Sequence, residues 1–347
     1  MKFIMNTKKA TLNEIAKVFG VSPVTVSNAL NKRKNVSPDK ARAISQYAEK
    51  IGYQPSLLAQ SLLRGQTHIV GLLLKETPED PWNGAILNRL QEKLWNKGYY
   101  LSMFVATDGK ERLVDGVKFL AQLKVDALII GPMGFANEYD LVAPHLNSFP
   151  YVTVFDTVEH MPVDNAKIDA YSAAQIALDH LVENGHSNIG MLGVVSHEKH
   201  LPDLKTRYSG FIDTLKRHGL EIRDEWIMEE SIHSELASDK LVGLIRSGNM
   251  PTAFFCHNDL VAAEAIKLLY EHNIKVPDDI SVIGVNNLPV AEMMIPGITS
   301  VSFNLDHYVD KIVELTMDNL SGKAKNASAV RYQEVPKLIK RGSVKRI

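Results

Sequence analysis

A single cysteine in 347 residues, Cys256, excludes an internal disulfide framework and fits a reducing cytoplasm. Apolar runs are short, none approaching the roughly 18 residues needed to cross a bilayer. The stretch MKFIMNTKKATL carries lysines but lacks the apolar segment and cleavage site of a secretory signal, so a cytoplasmic protein is expected. Metal-ligand spacings are missing too: the 12 histidines are scattered, with no HxxxH, CxxC or carboxylate cluster, and no metal or cofactor is expected. No nucleophile–base pair, Gly-rich phosphate loop or paired carboxylates stand at meaningful spacing, which argues against an enzyme. What remains is a globular composition, 45% hydrophobic and 23% charged, at a length that suits two or three domains.

Charge is unevenly placed. The net −1 of the chain hides 11 Lys and Arg against 3 Asp and Glu in residues 1–66, a local +8, with the remainder at −9. A small basic module on an acidic body is the footprint of nucleic-acid binding, although a solvated basic tail has the same charge. Thr11-Leu12-Asn13-Glu14 forms a capping box that starts a helix on Leu12, Ile15, Ala16 and Phe19, stopped by Gly20. Ser22-Pro23 restarts the chain, with proline at the first helical position, where its missing N–H costs nothing. In this second helix Val26, Ala29 and Leu30 face inward, leaving Pro23, Val24, Thr25, Ser27 and Asn28 outward. Ser37-Pro38 opens a third helix on Ala41, Ile44, Ala48 and Ile51, ending at Gly52. Two short helices at a tight turn, the second with a polar exposed start, read as a helix-turn-helix whose second helix meets base edges. A purely structural three-helix bundle is the alternative. The cluster Lys32, Arg33 and Lys34 after the second helix favours DNA, as phosphate contacts.

The segment Tyr53–Gly65 predicts a leucine-rich helix of barely two turns, too short to be stable alone. Paired with a twin in a dimer it could push an apolar wedge between minor-groove base steps; an ordinary linker helix is the alternative. From His68 the pattern alternates. The apolar runs IVGLLL, YYLSMFV, DALIIG, YVTVFD, IGMLGV, AFFCH and ISVIGV are separated by helical segments such as Ile86–Trp95 and Ala173–Val182. That series predicts βαβ units in two similar halves, each with a parallel sheet. A tail follows, with strand TSVSF, a helix over 305–320 and a final strand around Tyr332–Leu338.

The run ATLNEIAKVFGVSPVTVSNALN, with VSPDKAR and IGYQPSLLAQSL following at this spacing, resembles the lactose-repressor (LacI/GalR) family. The likeness extends, more weakly, to Arg341-Gly342-Ser343 and so covers nearly the whole chain. It implies an α/β fold: an all-α helix-turn-helix headpiece on a type I periplasmic-binding-protein-like core of two doubly wound parallel-sheet subdomains. The implied boundaries are 1–55 for the headpiece, 56–66 for a hinge helix and 67–347 for the core. Within the core, about 67–165 plus 299–322 would form one subdomain and about 166–298 plus 323–347 the other. By the same resemblance Pro23, Val24 and Asn28 occupy base-reading positions, Asn28 replacing the commoner arginine, and Leu62 is the intercalating leucine. The full DNA-facing set is Thr11, Ser22, Pro23, Val24, Thr25, Ser27, Asn28, Asn31, Lys32, Arg33, Tyr53, Ser56, Ala59 and Leu62.

In open α/β sheets ligands bind beyond the C-terminal strand ends. Arg207 and Asp259 match positions that contact sugar hydroxyls in the family; the alternatives are a surface ion pair for Arg207 and helix capping after Asn258 for Asp259. Trp82, in the loop after the first strand, could stack on a sugar or simply pack. Asn286-Asn287 stand where the family usually has an aspartate, and Asp169 falls at another rim position; the effector set is Trp82, Asp169, Arg207, Asp259 and Asn286. Cys256-His257 reads as a strand end. The resemblance implies a transcriptional regulator, a repressor by expectation, that binds a roughly palindromic double-stranded DNA operator as a homodimer and responds to a small molecule. A carbohydrate is the family's commonest effector, and purines also occur. A solute-binding protein for a transporter would suit the core but not the headpiece.

Overall fold

A computed structural model of the chain describes residues 10–31, 35–54, 65–75, 81–106, 110–131, 140–149, 152–154, 163–194, 206–228, 235–322 and 329–347. The chain divides into two compact units, residues 1–67 and 68–347. Lys32, Arg33, Lys34, Ser56, Ala59 and Leu62 lie outside the described residues, as does most of the expected hinge helix.

Among its described residues the first unit holds three helices, α1 (Leu12–Phe19), α2 (Pro23–Leu30) and α3 (Pro38–Lys50). The expected capping box opens α1: Thr11 Oγ1 accepts from Glu14 N–H at 3.3 Å, and Glu14 Oε2 accepts from Thr11 N–H at 3.0 Å. Gly20 closes it at φ +60°, a left-handed backbone that a side chain would strain. Ser22 caps α2 by accepting from Thr25 N–H. Ser37 precedes Pro38 as expected but makes no side-chain cap. Ile15, Val26 and Ile44 are fully buried, one from each helix, and Phe19 meets Tyr47 edge-on at 5.6 Å. These three aliphatic side chains are the centre of a very small core, each worth about 1.5–3 kcal/mol on burial.

Among its described residues the second unit contains two six-stranded sheets. The first runs β1 (Ile69–Leu74), β2 (Tyr100–Val105), β3 (Ala127–Ile130), β4 (Val152–Val154) and β5 (Asp164–Ile168), in spatial order β2-β1-β3-β4-β5. The second runs β6 (Ile189–Leu192), β7 (Ile227–Met228), β8 (Ala253–Cys256), β9 (Ser281–Val285) and β10 (Thr299–Ser302), in order β7-β6-β8-β9-β10. All these pairings are parallel, so each half is doubly wound, with its switch point between its first and third strands. β1, β3, β6, β8 and β9 are buried almost throughout, as strands covered on both faces must be.

The tail corrects the expected subdomain boundaries. TSVSF, assigned by sequence to the first subdomain, pairs instead with the second sheet, Thr299 opposite Ile283. The expected single strand around Tyr332–Leu338 is two: β11 (Arg331–Glu334) lies parallel to β5 in the first sheet, and β12 (Lys337–Ile339) antiparallel to β10 in the second. Pro336 stands between them, and its missing N–H breaks the ladder where the chain changes sheet. The first subdomain also runs on to Ile168, because β5 belongs to the first sheet. The helix over the tail, α11 (Leu305–Leu320), does belong to the first subdomain. Its Tyr308, Val309 and Ile312 are buried with Ile86, Leu90 and Leu94 of α4 (Pro81–Asn96).

Two further helices position the site. α6 (Ala170–Glu183) and α7 (Arg207–Arg217) pack tightly, and Gly210 is where they touch. A Cβ there would stand 2.5 Å from Tyr171 O and 2.9 Å from Ala174 Cβ. Gly210→Ala is therefore expected to push the pair apart and cost about 1–3 kcal/mol, read as a lower urea midpoint with an unchanged slope. An unaltered midpoint would mean that α7 shifts freely.

Candidate functional site

In the headpiece, α2 presents Pro23 and Val24 to solvent, Val24 at 67% exposure, while Thr25, Ser27 and Asn28 are half-buried. Val24 is not part of the headpiece core. Other members of the expected DNA-facing set carry local duties. Ser22 Oγ and Thr25 Oγ1 lie 2.9 Å apart at the cap, Asn31 Nδ2 donates to Ser27 O at 2.8 Å, and Thr11 is committed to its capping box. Tyr53 packs against the headpiece core, which raises its phenol pKa by desolvation. These bonds fix the orientation of α2, and one hydroxyl of the Ser22–Thr25 pair keeps an O–H that is able to donate to a phosphate oxygen.

In the second unit, three residues from separate segments converge at the C-terminal edge of the second sheet. Arg207 opens α7, which follows β6; His257 and Asn286 each come immediately after a strand, β8 and β9. Arg207 is 7% exposed, donates through NH2 to Asn286 Oδ1 at 2.9 Å, and holds NH1 3.0 Å from His257 Nε2. The alternative of a surface position does not describe Arg207, whose side chain is buried. Thr206 fixes the start of α7 through a reciprocal cap with Ser209. The arrangement offers a rigid fork of N–H donors, an amide and an imidazole beside the β6–β8 switch point.

The other expected effector residues fare differently. Asp259 is the correction. It opens α9 (Asp259–Glu271), fully buried, and both oxygens are already used: Oδ2 accepts from Leu288 N–H and Oδ1 from Ser300 Oγ, each at 2.6 Å. The helix cap is Asn258, accepting from Val261 N–H, and not Asp259, to which the capping alternative gave that role. Burial pushes the Asp259 carboxyl up to about 6, against the opposing pull of its two hydrogen bonds and of Arg341 and Arg207. Asp169 caps α6 by accepting from Ser172 N–H at 3.0 Å, and its own N–H donates to Glu334 O. Trp82 lies in the first turn of α4 rather than in a loop, because Pro81 starts the helix. It meets Phe303 edge-on at 5.8 Å and touches the cores of both sheets, so packing accounts for it. His257 reads from sequence only as a strand end, yet a polar residue directly after a parallel strand stands where ligands bind in such sheets, and that position is the available signal. Among the described residues no group of three or more His, Cys, Asp or Glu side chains could hold a metal ion, and no helix is long and apolar enough to cross a membrane.

Comparison with known proteins agrees with this layout. Residues 11–56 match the family described as bacterial regulatory proteins, lacI family, and residues 178–344 match a periplasmic binding protein-like domain. The HTH-type transcriptional repressor PurR of Mannheimia succiniciproducens is 30% identical over 342 residues, covering 97% of this chain and 99% of the relative. Among solved structures, the lac repressor dimer bound to operator and the anti-inducer ONPF has a TM-score of 0.85 at 20% identity, over 97% of this chain and 100% of that one. The transcriptional regulator CelR in complex with cellobiose has a TM-score of 0.68 at 21% identity, over 96% of this chain and 100% of that one. These are families of regulators, not of enzymes. With a helix-turn-helix at its start and a two-sheet core behind it, this chain belongs to the lacI family of bacterial regulatory proteins and is a DNA-binding transcriptional repressor.

Proposed function

We propose that a small polar effector, a carbohydrate, controls the operator affinity of this repressor by binding against Arg207, His257 and Asn286. The supporting observation is their convergence at the C-terminal edge of the second sheet, beside its switch point. A guanidinium fork next to a neutral amide and an imidazole suits vicinal hydroxyls, each able to donate and accept. The protein acts in the cytoplasm as a homodimer, so the operator is roughly palindromic. Pro23, Val24 and Asn28 read bases, Lys32, Arg33 and Lys34 contact phosphates, Ser56 and Ala59 belong to the DNA-facing set, and Leu62 wedges into the minor groove. Effector and operator affect each other's affinity by the same factor, whichever sign that coupling has.

A thermal-shift screen of mono- and disaccharides beside nucleobases tests the effector class. A sugar should raise the melting temperature of the wild type. Arg207→Ala should weaken that sugar by about 1–3 kcal/mol, about 5- to 150-fold in Kd, the range for lost hydrogen bonds to a charged group. Stabilisation by a nucleobase and by no sugar would overturn the carbohydrate assignment. A sugar that binds Arg207→Ala as tightly as wild type would remove Arg207 from the site.

A further inference from the structure

Asn286 and Asn287 both sit at positive φ, +94° and +51°, where such backbone among the described residues is otherwise mostly glycine. Non-glycine residues in that region cost about 1–3 kcal/mol each and persist only where their surroundings impose it. Here every backbone N–H of the turn is held. Asn286 N–H donates to Val301 O at 2.8 Å, Asn287 N–H to Ser300 Oγ at 3.0 Å, and Leu288 N–H to Asp259 Oδ2 at 2.6 Å. Ser300 Oγ in turn donates to Asp259 Oδ1, so one carboxylate holds two of the three points. From the C-terminal tail, Arg341 NH2 donates to Asn287 Oδ1 at 2.7 Å while its NH1 donates to Ile298 O at 2.8 Å. Gly284 leaves the space: a Cβ there would collide with Asp259 Oδ1.

We propose that Asp259 is a positioning residue of the effector site, clamping the Asn286–Leu288 turn so that the Asn286 amide meets Arg207, with Arg341 gripping the neighbouring amide. The proposal rests on the reading that Arg207 and Asn286 face the effector. It assigns Asp259 a structural job at the site in place of the direct ligand contact expected from sequence. The chemistry fits the fold: a fully buried carboxylate is retained 29 residues from Leu288 and 41 from Ser300 because two donors need one acceptor between them. Burial already works against its ionised form, so an ordinary packing position would have no use for the charge.

The test needs neither effector nor DNA. Amide hydrogen exchange of the full-length protein is compared for wild type, Asp259→Ala, Asp259→Asn and Ser300→Ala, with crystal structures of the two Asp259 variants. Asp259→Ala should speed exchange at Leu288 at least tenfold while β8 and β9 stay protected, and should break the Arg207–Asn286 hydrogen bond. Asp259→Asn keeps an acceptor for Leu288 N–H and should restore both. Should Asp259→Ala fail to fold, Ser300→Ala carries the test, with faster exchange confined to Asn287. Unchanged exchange at Leu288 in Asp259→Ala, or at Asn287 in Ser300→Ala, overturns the clamp. So does a loss in Asp259→Asn as large as in Asp259→Ala. Effector binding that survives Arg207→Ala would instead defeat the site itself and leave the clamp standing.

Discussion

A chain cut back to residue 68 should lose specific operator binding by at least a thousandfold while keeping a cooperative melting transition and its response to effector. The headpiece has its own core, built on Ile15, Val26 and Ile44, and the division between compact units falls at residues 67 and 68. Removing it also removes most of the attraction for DNA. The first 66 residues carry a formal +8 and the rest −9, so the remaining protein repels a phosphate backbone at neutral pH. Specific complexes of such modules exceed non-specific ones by about 10³–10⁷ in affinity, and that whole margin should vanish. The measurement is fluorescence anisotropy at fixed salt, using an operator first selected from random duplexes with the full-length protein. Retained sequence preference in the 68–347 fragment would place recognition elsewhere in the molecule. The four core clusters of the second unit make survival of the fragment's melting transition the expected control.

The headpiece was legible because its signals are local. A capping box, a left-handed glycine and a Ser-Pro restart each act within four residues, and α1, α2 and α3 begin where those signals stand. The alternation of buried strands and helices in the second unit was legible for a similar reason, since doubly covered strands must be continuous apolar runs. β5 is not legible because its sequence, DNAKI, is mostly polar, and β7 because two residues make no pattern. Sheet membership in the tail could not be read at all. Whether Thr299–Ser302 pairs with one sheet or the other depends on partners that local pattern does not name, and only Pro336 hinted that the last strand was two. The effector site divides along the same line. Arg207 and Asn286 follow from the family resemblance together with their places after a strand, and the structure brings them together. Asp259 carried the same positional signal, yet its neighbours Ser300 and Leu288 turn its carboxylate inward. Position after a strand marks the neighbourhood of a ligand; the direction a side chain takes there is set by residues far along the chain.

That inward carboxylate gives the second large effect, on stability as a function of pH. Asp259 titrates at about 6 in the fold against an ordinary 3.8, because desolvation outweighs both hydrogen bonds and the pull of Arg341 from the tail and Arg207 from α7. A folded-state carboxyl that is raised binds a proton more readily than the unfolded chain does. Between those two values the fold holds the proton and the unfolded chain does not, so this group lowers stability as pH rises through the window, and the loss is complete above about 6. The gap corresponds to about 3 kcal/mol, and with no exposure of Asp259 there is little solvent screening to reduce it. Asp259→Asn keeps the shape and the Leu288 acceptor but has no proton to exchange. Its stability relative to wild type should therefore start near zero at pH 4, rise towards pH 6 and level off at a gain of up to about 3 kcal/mol. Urea melts of both proteins across pH 4–7.5 measure the difference, which cancels every other carboxylate. A flat difference would mean that the two 2.6 Å hydrogen bonds fully offset burial of the charge, and a difference that falls with pH would mean that they and the two arginines exceed it.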